Sequence, residues 1–165
     1  MSIMMLDQQH LIFILCLTYA CHGSSSASLR VDTKEIAPNV RMPVMSIGVG
    51  GLEHQDAHDI VANWLGLGGT GIDTALNYNN QEQVQQAMAE SGVAREDLFL
   101  TTKIPDCNVS NTVQNIEKDL ILLDTSYIDL LLIHGPRNGN CVESWKILET
   151  FYRSNKTRAI GVRSE

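Results

Sequence analysis

The sequence has no Cys-x-x-Cys pair, no Gly-x-Gly-x-x-Gly fingerprint leading from its first strand-like run into a helix, and few aromatic side chains. Without Cys-x-x-Cys spacing among its four cysteines, a structural zinc site is not expected. The first strand-like run is followed by GVGGLEH, so a doubly wound dinucleotide-binding sheet, the first alternative for the fold, loses its usual signature. Aromatic residues make up 5% of the chain and form no stacking stripe for single-stranded nucleic acid. A net charge of -7 argues against nucleic acid or an anionic membrane surface as the main partner. What the chain does have is length and apolar content. Its 165 residues are 44% hydrophobic, enough for one domain with a real core.

The N-terminal run LIFILCLTYA is apolar but too short to span a bilayer, and CHGSSSAS follows it. This reads as the apolar core of a targeting leader. Thr18 and Ala20 stand at small-residue cleavage positions and Cys21 as the first mature residue. The segment before it holds Asp7 and His10 and neither Lys nor Arg. The expected division is therefore a leader at 1–22 and one folded domain at 23–165, with no membrane span in the mature chain. Such a leader directs the protein to the secretory pathway or an organelle; a cytoplasmic location is the alternative. Cys107 and Cys141 fall in the folded part, each a few residues past a strand end. Pairing in an oxidising compartment and two free thiols both fit. Asn108-Val109-Ser110 and Asn155-Lys156-Thr157 are glycosylation sequons, relevant only if the leader acts at the endoplasmic reticulum.

Past the leader, two periodicities alternate. Strands are expected at 44–49, 70–74, 98–102, 128–133 and 158–162. Helices are expected at 54–65, 81–90, 111–123 and 143–153. The first helix has Ala57, Ile60, Val61, Trp64 and Leu65 on one face. The third has Val113, Ile116, Leu120 and Leu123 on one stripe, with Ser110 as its expected cap. Residues 29–31 and 40–42 form an expected hairpin around Pro38-Asn39. Strands recurring every ~30 residues match successive βαβ units. The fold class is α/β, and a (β/α)8 barrel fits the pattern, although such a barrel typically takes ~250 residues.

Four polar side chains close apolar runs: Asp73 in GTGIDTALNY with Tyr78 five residues on, Lys103 in LFLTTK, and His134 in YIDLLLIH. In a parallel α/β fold those ends share one face, where chemistry is usually done. Singly, each fits a solvated loop residue or a structural ion pair. Together they make a proton-donating set. A phenol with a pKa of about 10 is too weak an acid near neutral pH. An ammonium beside it stabilises the phenolate, and Asp73 can hold that ammonium in place. His134 can bond a substrate oxygen or relay a proton. Such a set protonates a carbonyl oxygen as a hydride reaches its carbon, and a nicotinamide cofactor has to supply the hydride.

Four stretches resemble the aldo-keto reductase family. GTGIDTALNYNNQEQVQQAM resembles its G-x-x-x-I-D-T-A-x-x-Y-x-N-E, and GVAREDLFLTTKI its R-E-x-x-F-x-x-T-K. DTSYIDLLLIHGP resembles its D-Y-I-D-L-x-L-I-H-x-P, and SNKTRAIGV its G-K-x-R-x-I-G-V-S-N. The resemblance implies a (β/α)8 barrel with an N-terminal hairpin across its base, and NADPH-dependent reduction of aldehydes and ketones. It assigns Tyr78 as proton donor, Asp73 as supporting acid and nicotinamide-side cofactor contact, Lys103 as the residue that lowers the tyrosine pKa, and His134 as the substrate-orienting residue. Gly51 falls where the family's G-x-G-T-x has threonine, leaving only its backbone for the cofactor. Gly135 replaces a frequent aromatic, and Arg163-Ser164 stands where Ser-Asn is expected. The sequence stops after the fifth barrel strand, so an incomplete barrel is expected. It should be aggregation-prone or partly unfolded, and bind NADPH weakly or not at all. A truncated, inactive fragment or a non-enzymatic binding module is the alternative to an active reductase, and the oligomeric state is left open.

Overall fold

A computed structural model describes residues 31–163. The leader read at 1–22, Leu29 at the start of the expected hairpin, and Ser164 lie outside the described residues. The hairpin is β1 (Thr33–Ala37) and β2 (Val40–Pro43), antiparallel, turning at Pro38-Asn39 with Asn39 at a φ of 62°. Its first arm begins later than the sequence reading put it, because Thr33 pairs with Pro43 and Val31 stays outside the ladder. Val40 packs with Phe99 and Ala159, which plugs the hairpin against the bottom of the main sheet.

The rest is a repeated strand–helix unit. It runs β3 (Ser46–Gly48), α1 (His54–Gly66), β4 (Gly71–Asp73), α2 (Gln81–Ser91), β5 (Phe99–Ile104), α3 (Val109–Leu122), β6 (Ile128–Ile133), α4 (Cys141–Arg153) and β7 (Thr157–Val162). All strand pairs in this sheet are parallel and the order is β3-β4-β5-β6-β7, each strand beside its chain successor. A doubly wound sheet reverses its order at a switch point. This one never does, so the winding is that of a (β/α)8 barrel, of which the described residues form a part.

Strand β5 lies at the centre of the sheet and every one of its residues is buried, as expected for a strand covered on both faces. Two apolar clusters flank it. One joins Val61, Leu65, Val84 and Met88 of the first two helices to Ile72 and Leu100. The other joins Ile116 and Leu148 to Ile104, Ile128, Leu131 and Ile133. At the N-terminal end of the sheet, fully buried Asp129 accepts from Arg95 at 2.8 Å, Arg158 at 2.6 Å and the Leu100 amide at 3.0 Å. The two guanidiniums and the amide give this buried carboxylate the partners it requires.

Two helix faces differ from the periodicity reading. Ile60 and Val113 are exposed. In α3 the inward positions belong to Thr112, Ile116 and Asp119, so two polar residues face the core. The helix starts at Val109 with Asn108 in the cap position, and Ser110 bonds Asn108 Oδ1 rather than capping backbone amides. Helix α4 starts at Cys141 because the Asn140 side chain accepts from the Val142 and Glu143 amides. Among the described residues, no helix is long and apolar enough to cross a membrane, and no cluster of His, Cys, Asp or Glu is arranged to hold a metal ion.

Candidate active site

Asp73 is the last residue of β4, Lys103 the fifth of β5, and His134 follows β6. Parallel pairing brings their ends to one face. Tyr78 closes a single 3-10 turn, Leu76–Tyr78, that leaves the end of β4, and its amide bonds the Ala75 carbonyl at 3.0 Å. Buried Leu76 anchors that turn.

The Lys103 ammonium is the hub. Its Nζ donates to the Asp73 carboxylate and, at 2.9 Å, to the Thr74 carbonyl. It also lies 5.1 Å from the centre of the Tyr78 ring. Lys103 is buried, while the Asp73 side chain keeps 35% of its surface open. The pair is therefore desolvated on one partner and wetted on the other. A charge this deep persists only with such partners.

The His134 ring meets the Tyr78 ring edge-on, with centroids 5.5 Å apart and planes at 83°. The His134 amide bonds the Ile104 carbonyl at 2.8 Å, which fixes where the ring leaves the sheet. Its Nδ1 lies 2.9 Å from Asn77 Oδ1. Burial first, and then the positive charges of Lys103, Arg163 and Arg137, lower the His134 pKa below its ordinary 6.5 against the opposing pull of Asp73. The ring is neutral at pH 7.

The turn after β3 completes the site. Gly50 lies so close to Tyr78 that a Cβ there would meet ring carbon Cζ at 3.0 Å and the hydroxyl at 3.2 Å. Glycine lets the phenol lie against this turn. Gly51 has a φ of 76° and open space where a side chain would stand. Asn80 donates to the Val49 and Leu52 carbonyls at 2.9 and 3.1 Å, tying the Tyr78 segment to the same turn.

All four residues singled out by their strand-end positions are thus gathered around one site, with the Gly51 turn beside them. Sequence reasoning missed Asn77 and Gly50. Asn77 carried one signal, an amide immediately before the tyrosine. Gly50 carried none beyond its neighbour.

Cys107 and Cys141, left open between pairing and free thiols, are joined in a disulfide with Cα atoms 4.7 Å apart. It ties the loop after β5 to the first residue of α4 on the same face as the four residues.

Comparison with known proteins agrees with this geometry. A model of the aldo/keto reductase family matches residues 44–165. Glyoxal reductase of Bacillus subtilis is 40% identical over 134 residues, 79% of this chain and 49% of the relative. Methylglyoxal reductase DkgA of Yersinia pestis is 37% identical, covering 73% of this chain and 44% of that one. An aldo/keto reductase structure from Brucella melitensis superposes with a TM-score of 0.76 at 33% identity, over 81% of this chain and 54% of the other. A Bombyx mori aldo-keto reductase in complex with NADP superposes at 0.74 with 28% identity, over 81% and 50%. The chain spans about half the length of the curated relatives it matches. From the sheet winding, the gathered strand-end residues and the match over 44–165, the chain belongs to the aldo/keto reductase family.

Proposed function

We propose that this chain carries the proton-donating site of an NADPH-dependent reductase that converts small aldehydes and ketones to alcohols. The observation that carries the reading is the Lys103 ammonium, fixed by Asp73 and the Thr74 carbonyl at 5.1 Å from the Tyr78 ring.

Tyr78 gives its hydroxyl proton to the carbonyl oxygen. The phenolate left behind is stabilised by Lys103, whose charge Asp73 keeps in place. Neutral His134, packed edge-on against Tyr78, fixes the substrate beside the phenol. NADPH, when bound, supplies the hydride. The residues present fit a nicotinamide: the space over Gly51 is open, the Asp73 carboxylate is part-exposed at the end of the strand paired with Gly48, and a Cβ at Gly48 or Gly51 would meet no neighbour. Gly51 would contact the cofactor through its backbone and Asp73 through its carboxylate. The names of two relatives, glyoxal reductase and methylglyoxal reductase, support small carbonyl compounds as the substrate class.

The disulfide supports the reading that the 1–22 leader takes the chain into an oxidising compartment, since such bonds persist there and are rare in the cytosol.

Consumption of NADPH with methylglyoxal, followed by absorbance, tests the proposal. In a complete version of the protein, Tyr78→Phe removes a proton donor and little apolar surface, so it is expected to lower turnover by about 10²- to 10⁴-fold with cofactor binding retained. Turnover near the wild-type value in that variant would exclude Tyr78 as the acid.

A further inference from the structure

The turn that joins α4 to β7 holds a motif the reductase reading leaves unused, Asn155-Lys156-Thr157. An Asn-x-Thr triplet is an acceptor for an N-linked glycan, a bulky group that a folded protein keeps at its surface. Asn155 is exposed, and its side-chain amide has no hydrogen-bonding partner among the described residues. Its backbone, by contrast, is fixed. Asn155 has a φ of 59°, its amide bonds the Tyr152 carbonyl at 3.1 Å, and the Lys156 amide bonds the Phe151 carbonyl at 2.9 Å. This is the left-handed close of a helix, so the side chain leaves the surface from one defined place. Beside it lies an open groove of about 400 Å³, lined by Pro38 and Asn39 of the hairpin turn and by Tyr152 and Arg153. Tyr152 is 43% exposed and offers the first sugars a ring face.

The other triplet, Asn108-Val109-Ser110, is placed differently. Asn108 is half-buried and follows Cys107, which is fully buried in the disulfide. The loop after β6 lies so close that a Cβ at Gly139 would stand 3.2 Å from the Asn108 Cα. A glycan on Asn108 would stand in the way of this closure.

We propose that Asn155, and not Asn108, carries an N-linked glycan. This rests on the reading that the 1–22 leader takes the chain into an oxidising compartment, here the endoplasmic reticulum. The donor is a lipid-linked oligosaccharide diphosphate. The bond from Asn155 Nδ2 to the first sugar's C1 forms as the C1–O bond to the diphosphate breaks. The diphosphate leaves with the electron pair, the amide nitrogen gives up one proton, and nothing is oxidised or reduced. Asn155 precedes the start of β7, whereas Asp73, Lys103 and His134 stand at the far ends of their strands. A six-residue strand spans about 20 Å, so the glycan leaves the proposed active site uncovered.

Translation of the full chain with endoplasmic-reticulum vesicles, followed by protease added outside them, tests the proposal. Protection reports entry, whether or not sugar is attached. A band shift removed by an amidase that cleaves N-glycans reports the glycan. The expected result is a protected chain with one such shift, lost in Asn155→Gly and kept in Asn108→Gln. Glycine accepts the left-handed φ, so Asn155→Gly removes the acceptor amide and keeps the turn. Enzymatic release of the glycan in heavy-oxygen water should label residue 155 alone in peptide mass spectra. A protected chain without sugar, or sugar on Asn108, would overturn the proposal and leave the leader reading standing. A chain digested outside the vesicles would overturn both.

Discussion

A carboxyl group buried as fully as Asp119 resists ionisation. Burial pushes its pKa up from 3.8 to about 7, against hydrogen bonds from the Gln81 amide and the Thr102 hydroxyl and the positive charges of Lys103 and Lys118. Gln81 begins α2, three residues after Tyr78, and Thr102 precedes Lys103, so this knot lies directly behind the proposed site. All of its donors reach one oxygen, Oδ1, and Oδ2 has no partner. Burial outweighs these donors, so the fold favours the neutral form up to about pH 7. Between 3.8 and about 7 the folded protein holds a proton on Asp119 that the unfolded chain has lost. Stability should thus be full below pH 4 as far as this group is concerned, and should decline as pH rises to 7. The gap corresponds to on the order of 4 kcal/mol. Asp119→Asn keeps shape and neutrality, and is expected to flatten that decline and unfold later than wild type at pH 8. Urea unfolding at pH 5 and pH 8 measures it. A wild type whose midpoint does not fall over this interval relative to the variant would show that Asp119 stays ionised in the fold.

At the scale of elements, the loops after β5 and β6 behave as one unit. His134 bonds Ile104, Gly135 bonds Pro105 at 3.2 Å, Cys107 bonds the Arg137 carbonyl at 2.9 Å, and the disulfide closes the set. His134 stands at the root of this unit. With the cysteines 34 positions apart in the sequence, the loop-closure entropy removed from the unfolded chain is worth about 3–4 kcal/mol. A Cys107→Ser, Cys141→Ser double variant should lose about that much, and the wild type treated with a dithiol should match it. Equal unfolding midpoints with and without the dithiol would contradict this. The strands and helices themselves were legible in the sequence because each has a strong period, and β6 was placed to the residue. The faces of α1 and α3 were less legible. Thr112 and Asp119 point inward because Ser144 on α4, and Gln81 and Thr102 on α2 and β5, receive them. Such partners lie many residues away, and no local pattern shows them. The same holds at the site. Asp73, Lys103 and His134 could be read from strand ends and Tyr78 from its distance to Asp73, whereas Asn77 acquires meaning only beside His134.

At the scale of the whole molecule, the described sheet has two outer strands, β3 and β7, each hydrogen-bonded to a single neighbour. An outer strand offers unpaired amides and carbonyls to any other chain, and the hazard grows with strand length and apolar character. By that measure the two differ. Strand β3 covers three residues and ends in glycine, whereas β7 covers six and ends in Val162, 48% exposed. A shallow groove beside Val162 is lined by Ile133, Pro136, Val142 and Trp145, with almost no polar surface. Covering about 100 Å² of such surface is worth roughly 2.5 kcal/mol, before any backbone pairing is added. Association should therefore begin at β7. The overall charge of -7 opposes it at long range, and salt weakens that opposition within a Debye length of about 8 Å at physiological ionic strength. The expected behaviour is a mass by light scattering that rises with protein concentration, and more steeply in added salt. Val162→Lys places a charge on the edge itself, and should hold the mass constant over the same range. It should leave the Lys103–Tyr78 arrangement alone, because Val162 touches neither. If wild type and variant associate equally, β7 is not the sticking edge, and the apolar groove beside it has no part in association.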